Sequence, residues 1–330
     1  MGALATILPP MFPGLTGADF DCYEPRKWKS NVFNRERMEV KQKLLALGRE
    51  VGGSVQGGDG SLLFIETSVE HPALWNHKQV DSQSVFFSRH EAARKELDGI
   101  IDRSKPMASL IDDPTPQRNH LFLAITLTHD ALEVSLRLHP DARVDRQNLE
   151  RKIDEHYEAE RLINAIGELS EGYRLGITPD LSPVEPGELS PDSLAELVGK
   201  LPAGGAMPLP GQLPHLFYIG RQLPRSEALG LSPEETVQWV RERLAELVPI
   251  YRFIAWSRDN DFVSMRQVLD KEKTVKRQKG LHKGDKVRVV RGMFTGKDGV
   301  VQEVDAKGQL KVLVGKMVVK LDAADVERPA

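Results

Sequence analysis

A chain of 330 residues with 28% charged and 40% hydrophobic side chains has room for more than one domain and the make-up of a globular protein. Its single cysteine, Cys22, excludes a disulfide framework and a cysteine-rich zinc site and fits a reducing cytoplasm, and no apolar run approaches the roughly 20 residues that cross a bilayer. The net charge of -3 hides an asymmetry: fifteen basic against eight acidic residues from Lys271 onward, a net of +7, leave -10 on residues 1–270.

Taken in chain order, MGALATILPPMFPGLTG is apolar but lacks a basic leader and is broken by Pro9, Pro10 and Pro13. It reads as part of an irregular arm over 1–33 and not as a signal peptide. Residues 35–50 are strong helix formers with apolar positions Met38, Leu44, Leu45 and Leu47. A glycine cluster from Gly52 to Gly60 ends that helix and leads into the apolar strand SLLFIETS. SVFF at 84–87 predicts a second strand, after which Ser88, with Glu91 as its capping-box partner, starts a helix.

The clearest β signal is the pair LFLAITL and ALEVSLRL, separated by Thr128, His129 and Asp130, which predicts a hairpin. In its second strand Leu132, Val134, Leu136 and Leu138 alternate with Glu133, Ser135, Arg137 and His139, giving one buried and one polar face. A single long helix is expected from near Asp145 to Leu169. Its inner stripe is Leu149, Ile153, Leu162, Ile163 and Ile166, and its charged face runs from Arg151, Lys152 and Glu158 to Arg161. Prolines and glycines then dominate 178–214, a linker or excursion interrupted by a short helix that Ser190 caps and Pro191 begins. A strand HLFYIG follows. Ser232, Pro233 and Glu235 then form an N-cap, N1 proline and capping box for a helix burying Val237, Val240, Leu244 and Leu247. PIYRFIAWSRD reads as a second helical stretch, and KEKTVKRQKG as a basic hinge.

The last fifty residues hold five short β-branched runs: Lys286–Val290, Val300–Asp305, Leu310–Val314, Met317–Leu321 and Asp325–Glu327. So many strands in so short a span bury a core only by curling into a small barrel. Gly284-Asp285-x-Val287-Arg288-Val289-x-x-Gly292-x-Phe294, followed by Gly299-x-Val301-x-Glu303-Val304-Asp305, resembles the KOW domain of NusG-type transcription elongation factors. It is also similar to the KOW segment of a large-subunit ribosomal protein. The resemblance implies an SH3-like barrel that binds RNA, a ribosomal protein or a termination factor. It also implies that Gly284, Gly292, Gly296 and Gly299 serve the backbone, and that the loop Arg291–Asp298 presents Met293, Phe294 and Lys297. Phe294 plugging one end of the barrel is an equally open reading. The compact α/β polymerase-binding domain that precedes the barrel in NusG-type factors has no counterpart pattern in 1–270, so polymerase binding does not carry over.

Asp130, Glu133 and Arg137 faintly resemble a D…E-x-K nuclease pattern, but Ser135 stands where the lysine belongs, and a solvent-facing strand edge explains the same charges. The histidines, among them His71, His77, His90, His120, His129 and His139, match no metal-ligand spacing. No P-loop, Rossmann glycine pattern or G-x-S-x-G occurs.

The sequence therefore predicts an α+β protein. An irregular arm (1–33) is followed by an α+β domain (34–177), a Pro/Gly-rich linker or excursion (178–214), a strand plus helices packing on the body (215–268), a basic hinge (269–280) and an SH3-like barrel (281–330). Expected partners are RNA or a ribosomal or transcription protein at the barrel, through Arg288, Arg291, Lys297 and the hinge residues Lys273, Lys276, Arg277 and Lys279. The acidic body is expected to meet an unidentified partner, with no catalytic residue, metal, cofactor or membrane assigned and a cytoplasmic location. Two other readings stay open: a nucleic-acid-processing body targeted by the barrel, and an adaptor whose barrel packs on its own body.

Overall fold

The computed structural model describes residues 11–57, 60–73, 76, 78–101, 116–185, 187–202, 215–264, 281–292, 294–304, 309–322 and 325–327. The chain divides into two compact units, Met1–Val263 and Ser264–Ala330. Both are mixtures of helix and antiparallel sheet or sheet alone, so the α+β class holds.

The first unit is built on a seven-stranded antiparallel sheet. Its strands are β1 (Phe64–Thr67), β2 (Gln83–Ser88), β3 (Phe122–Leu127), β4 (Ala131–Leu138), β5 (Tyr173–Ile177), β6 (Asp180–Pro183) and β7 (Phe217–Pro224), in the order β1-β2-β3-β4-β7-β5-β6. The helices are α1 (Gly17–Asp21), α2 (Asn34–Gly52), α3 (Glu91–Ile101), α4 (Arg143–Ile153), α5 (His156–Gly167), α6 (Pro191–Gly199), α7 (Arg225–Ala228) and α8 (Pro233–Ile254). The strand registers align Ile65, Phe87, Leu123, Leu136, Ile219 and Leu175 in one row across six strands of the sheet. That row and its neighbours meet the inner stripes of α2 (Val40, Leu44, Leu47, Val51) and α8 (Val240, Leu244, Leu247, Tyr251) in one core. α2 approaches closely because two of its turns carry glycine. A Cβ on Gly48 would lie 2.8 Å from the Val85 side chain, and one on Gly52 would lie 2.9 Å from that of Ile65.

The structure revises several expectations. Of the expected arm, residues 11–33 are described and are packed, since Phe12, Phe20, Cys22 and Tyr23 are core residues. Ser88 stays in β2, and α3 is capped instead by His90, whose Nδ1 accepts from the Ala93 amide at 3.1 Å. The expected long helix is two helices, α4 and α5, divided where Glu155 is extended (φ -92°, ψ 114°). Its charged face is partly internal. Lys152 is 4% exposed and donates to Phe253 O and Asn260 Oδ1 while its ammonium sits 3.8 Å from the centre of the Phe253 ring. Pro249 does not end a helix: α8 runs through it, because Leu247, Ile250, Tyr251 and Ile254 are buried on both sides. Such burial outweighs the roughly 3 kcal/mol that an interior proline costs. The β5–β6 hairpin gave no warning in the sequence; β6 begins inside the segment read as a linker or excursion.

One carboxylate ties these elements together. Asp145, fully buried in the first turn of α4, accepts from the Leu121 and Trp256 amides at 2.8 Å each and from both terminal nitrogens of Arg89. Arg89 also donates to Trp256 O and to His120 Nδ1. A guanidinium has no acceptor, so this contact fixes Nδ1 of His120 as the accepting nitrogen. Burial pushes the Asp145 carboxyl upward, but the Arg89 charge and the hydrogen bonds outweigh it and hold the group below its ordinary value. The second unit is a five-stranded antiparallel sheet: β8 (Lys286–Val289), β9 (Asp298–Val304), β10 (Gln309–Val314), β11 (Met317–Asp322) and β12 (Val326–Glu327), ordered β11-β10-β9-β8-β12. It curls around Leu281, Val287, Val289, Val301, Leu310, Val312, Val314 and Val326, a form compatible with an SH3-like barrel.

Replacing Asp145 by Ala leaves a buried guanidinium uncompensated and is expected to cost the first unit about 3–5 kcal/mol in urea denaturation. Because the folded pKa of Asp145 is lowered, its contribution is complete above the unfolded carboxylate value, about 3.9, and is lost as pH falls through the folded one. The stability gap between wild type and Asp145→Asn should therefore narrow in acid below about pH 4.

Candidate functional site

The turn that carries the KOW-like motif is held by its backbone. Gly292 and Gly296 adopt φ +90° and +84°, and Gly284 adopts +99°, conformations costly for any residue with a Cβ. Thr295 returns a hydrogen bond from Oγ1 to Gly292 O at 2.6 Å, Gly296 N donates to Val289 O at 2.7 Å, and Val289 N donates to Lys297 O at 2.9 Å. Gly299 is required for space: a Cβ there would meet the Val312 side chain at 2.5 Å and Leu313 O at 2.9 Å.

Of the cations expected at this site, Arg291 and Lys297 are exposed on the loop. Arg288 is exposed but committed. Its Nε and terminal nitrogen clasp both carboxylate oxygens of Asp298 at 2.7 and 3.2 Å, and that pair holds the Asp298 carboxyl below its ordinary value. Phe294 is half-buried and packs against the core of the second unit. Met293, Lys273, Lys276, Arg277 and Lys279 lie outside the described residues.

The body has a polar centre of its own on the sheet face opposite the helix-packed row. Ser84, Thr126, Glu133 and Gln222 align across β2, β3, β4 and β7. The Ser84 and Thr126 hydroxyls are 2.9 Å apart, and Arg137 donates to Thr126, Ser135 and Glu133 at 3.1, 2.9 and 2.7 Å. Gln222 donates to the second oxygen of Glu133 at 3.0 Å. These charges are not on a solvent-facing edge: β4 is central, Glu133 is 5% exposed and Ser135 is fully buried. Burial pushes the Glu133 carboxyl up, yet Arg137 and Gln222 overcome it and keep the group ionised, with both oxygens engaged. Asp130, in contrast, lies in the β3–β4 turn with its side chain 91% exposed. The two carboxylates expected to share a nuclease cleft therefore stand in different environments, and Glu133 is positioned as a structural partner and not as a base.

Other candidates in the body are similarly committed. Burial pushes the Cys22 thiol up to about 11, which suppresses the thiolate needed for nucleophilic chemistry. A cleft of about 890 Å³ lies between the β5–β6 hairpin and α6, with Asp180, Glu185, Glu188 and Glu196 around Leu175, Ile177 and Leu197; its Ser193 is occupied as a capping partner of Ser190. A smaller cleft of about 340 Å³ opens between the start of α3 and the end of α8, next to Arg89 and Trp256. His139 accepts from the Asp141 amide and pairs with Arg118. No group of three metal-ligating side chains occurs among the described residues, and no described helix is long and apolar enough to cross a membrane.

No family model matches the chain. A stretch of 47 residues, 14% of the chain, is 51% identical to the large ribosomal subunit protein uL24 of Methanoculleus marisnigri. The matched stretch spans 39% of that protein's length, so the likeness concerns a module and not the whole of either protein. It agrees with a KOW-like region in this chain. The resemblance to NusG-type transcription factors gains no support from it.

Introducing a methyl group at Gly299 forces β9 away from β10. Gly299→Ala is expected to destabilise the C-terminal unit by about 1–3 kcal/mol, seen as a lower melting midpoint for that unit, while an exposed change such as Thr295→Ser leaves it nearly unmoved.

Proposed function

We propose that this protein associates with RNA, most naturally ribosomal RNA, through its C-terminal KOW-like unit. The observation that carries the reading is the 51% identity over 47 residues to a large-subunit ribosomal protein. The charge distribution supports it, because the +7 of residues 271–330 is set against the -10 of the remainder. The exposed Arg291 and Lys297 are the described candidates for phosphate contact. Arg288 contributes only if it exchanges Asp298 for a phosphate. Phe294 is the one Phe, Tyr or Trp between 281 and 330. It is packed against the core, so binding rests on phosphates and shape more than on base stacking.

In this reading the N-terminal unit is a non-catalytic body that presents an acidic surface to a partner, and the protein works in the cytoplasm beside the translation machinery. The saturated hydrogen bonds of Glu133 and the exposed, separate position of Asp130 argue against the nucleic-acid-processing alternative.

A filter-binding titration of the full chain with a labelled oligoribonucleotide should show affinity falling steeply as salt rises. Arg291→Ser and Lys297→Ser should each reduce the slope of log affinity against log salt by about 0.7. Affinity independent of salt, or no retention of RNA at low salt, overturns the proposal.

A further inference from the structure

Along the strands of the C-terminal unit, inward and outward positions alternate. Val287, Val301 and Val312 are buried, and Val319 packs against them. Their neighbours form a row on the outer face, in which the registers pair Lys286 with Val300, Val300 with Leu313 and Leu313 with Val318. Val300 is 38% and Val318 54% exposed, with the half-buried Leu313 between them, so three aliphatic side chains stand in line on the outer face. The charges beside this row are mostly basic, and the two carboxylates among them, Asp298 and Glu303, are each held in an ion pair, with Arg288 and Lys311. Lys286 closes its β8 end, and Lys311 and Lys320 pair across β10 and β11 along one flank, with only Glu303 opposing them through a 2.6 Å bond to Lys311.

We propose that this outer face docks an acidic amphipathic helix of a partner protein. Three features choose that occupant. The row runs across the strands, so its members are spaced by the interstrand distance, and Val300 to Val318 covers roughly 10 Å. Two turns of helix cover about 10.8 Å, which lets apolar side chains at i, i+3 or i+4, and i+7 follow the ridge. An added extended peptide has same-face side chains about 6.8 Å apart and falls out of step with it. The lysine flank selects carboxylates beside the apolar stripe. RNA is the weaker occupant, because aliphatic side chains offer no stacking surface and phosphates gain nothing from covering them. The inference goes beyond the RNA reading and places a second, protein-directed surface on the same unit.

The test uses the full chain and two probes. One is a fluorescein-labelled 18-residue helical peptide with leucine at i, i+3, i+4 and i+7 spacing and glutamate on the flanks; the other is the labelled oligoribonucleotide. Peptide anisotropy should rise saturably with wild type, and the double variant Val300→Ser, Val318→Ser should bind about tenfold more weakly. Lys320→Glu should weaken peptide binding as well, while RNA affinity of the double variant stays at the wild-type level. All three positions are exposed, so melting curves should hold. Absence of saturable peptide binding, or peptide binding that survives the double substitution, overturns the inference. Loss of RNA affinity in the double variant also overturns it, by making the row part of the RNA surface. Failure of the RNA probe alone, with the peptide results as expected, leaves this surface standing and removes only the RNA reading.

Discussion

The carboxylate of Asp145 sits where the end of β2, the start of β3, the first turn of α4 and the exit from α8 converge. All four are joined by hydrogen bonds to its two oxygens or to the guanidinium that neutralises it. A charge with no exposure is tolerable only when every lone pair is used, and here two amides and both terminal nitrogens of Arg89 use them. This constraint organises the body. It sets where β3 begins, fixes the turn after α8 through Trp256, and leaves the central sheet free to present a row of aliphatic residues to α2 and α8. A second buried network, Glu133–Arg137 with Gln222, Thr126 and Ser135, ties the three central strands β3, β4 and β7 together from the opposite face. Sheets with one apolar and one fully satisfied polar face slip less readily, because a one-residue shift exchanges the two.

Much of this was legible wherever a local pattern carried it. The alternation of Leu132, Val134, Leu136 and Leu138 marked β4, and Ser232-Pro233-Glu234-Glu235 marked the start of α8, where Ser232 and Glu235 close the capping box in the structure. Tertiary effects were not legible. Lys152 and Glu158 look like surface charges in sequence, yet they are 4% and 8% exposed because Phe253 and Asn260, about a hundred residues away, close over the lysine. Asp145, Arg89 and His120 carry no motif at all; their partnership spans 56 and 31 positions and exists only once the fold has formed. Pro249 misled for the same reason, since the burial that carries α8 past it comes from other parts of the chain.

In the C-terminal unit the positions of the five strands and the glycine requirements were readable, because turns and β-branched alternation are local. The state of individual side chains was not. Arg288 reads as a free cation in sequence and is clasped by Asp298, and Phe294 is drawn into the core. The valines of the outer row read as ordinary strand formers; only the pairing of Val300, Leu313 and Val318 reveals a contiguous ridge. The unit thus has two distinguishable surfaces, a loop with exposed basic residues and an apolar face flanked by lysines.

The central claim is that the basic C-terminal unit, and not the acidic body, is what meets RNA. Photo-crosslinking of the full chain to a 4-thiouridine oligoribonucleotide, with mass-spectrometric mapping of the modified peptides, tests it most directly. The account predicts adducts in peptides from 271–330, concentrated around Arg291 to Lys297 and reduced as salt is raised. Adducts confined to residues 1–263, with none in the C-terminal unit, would contradict it.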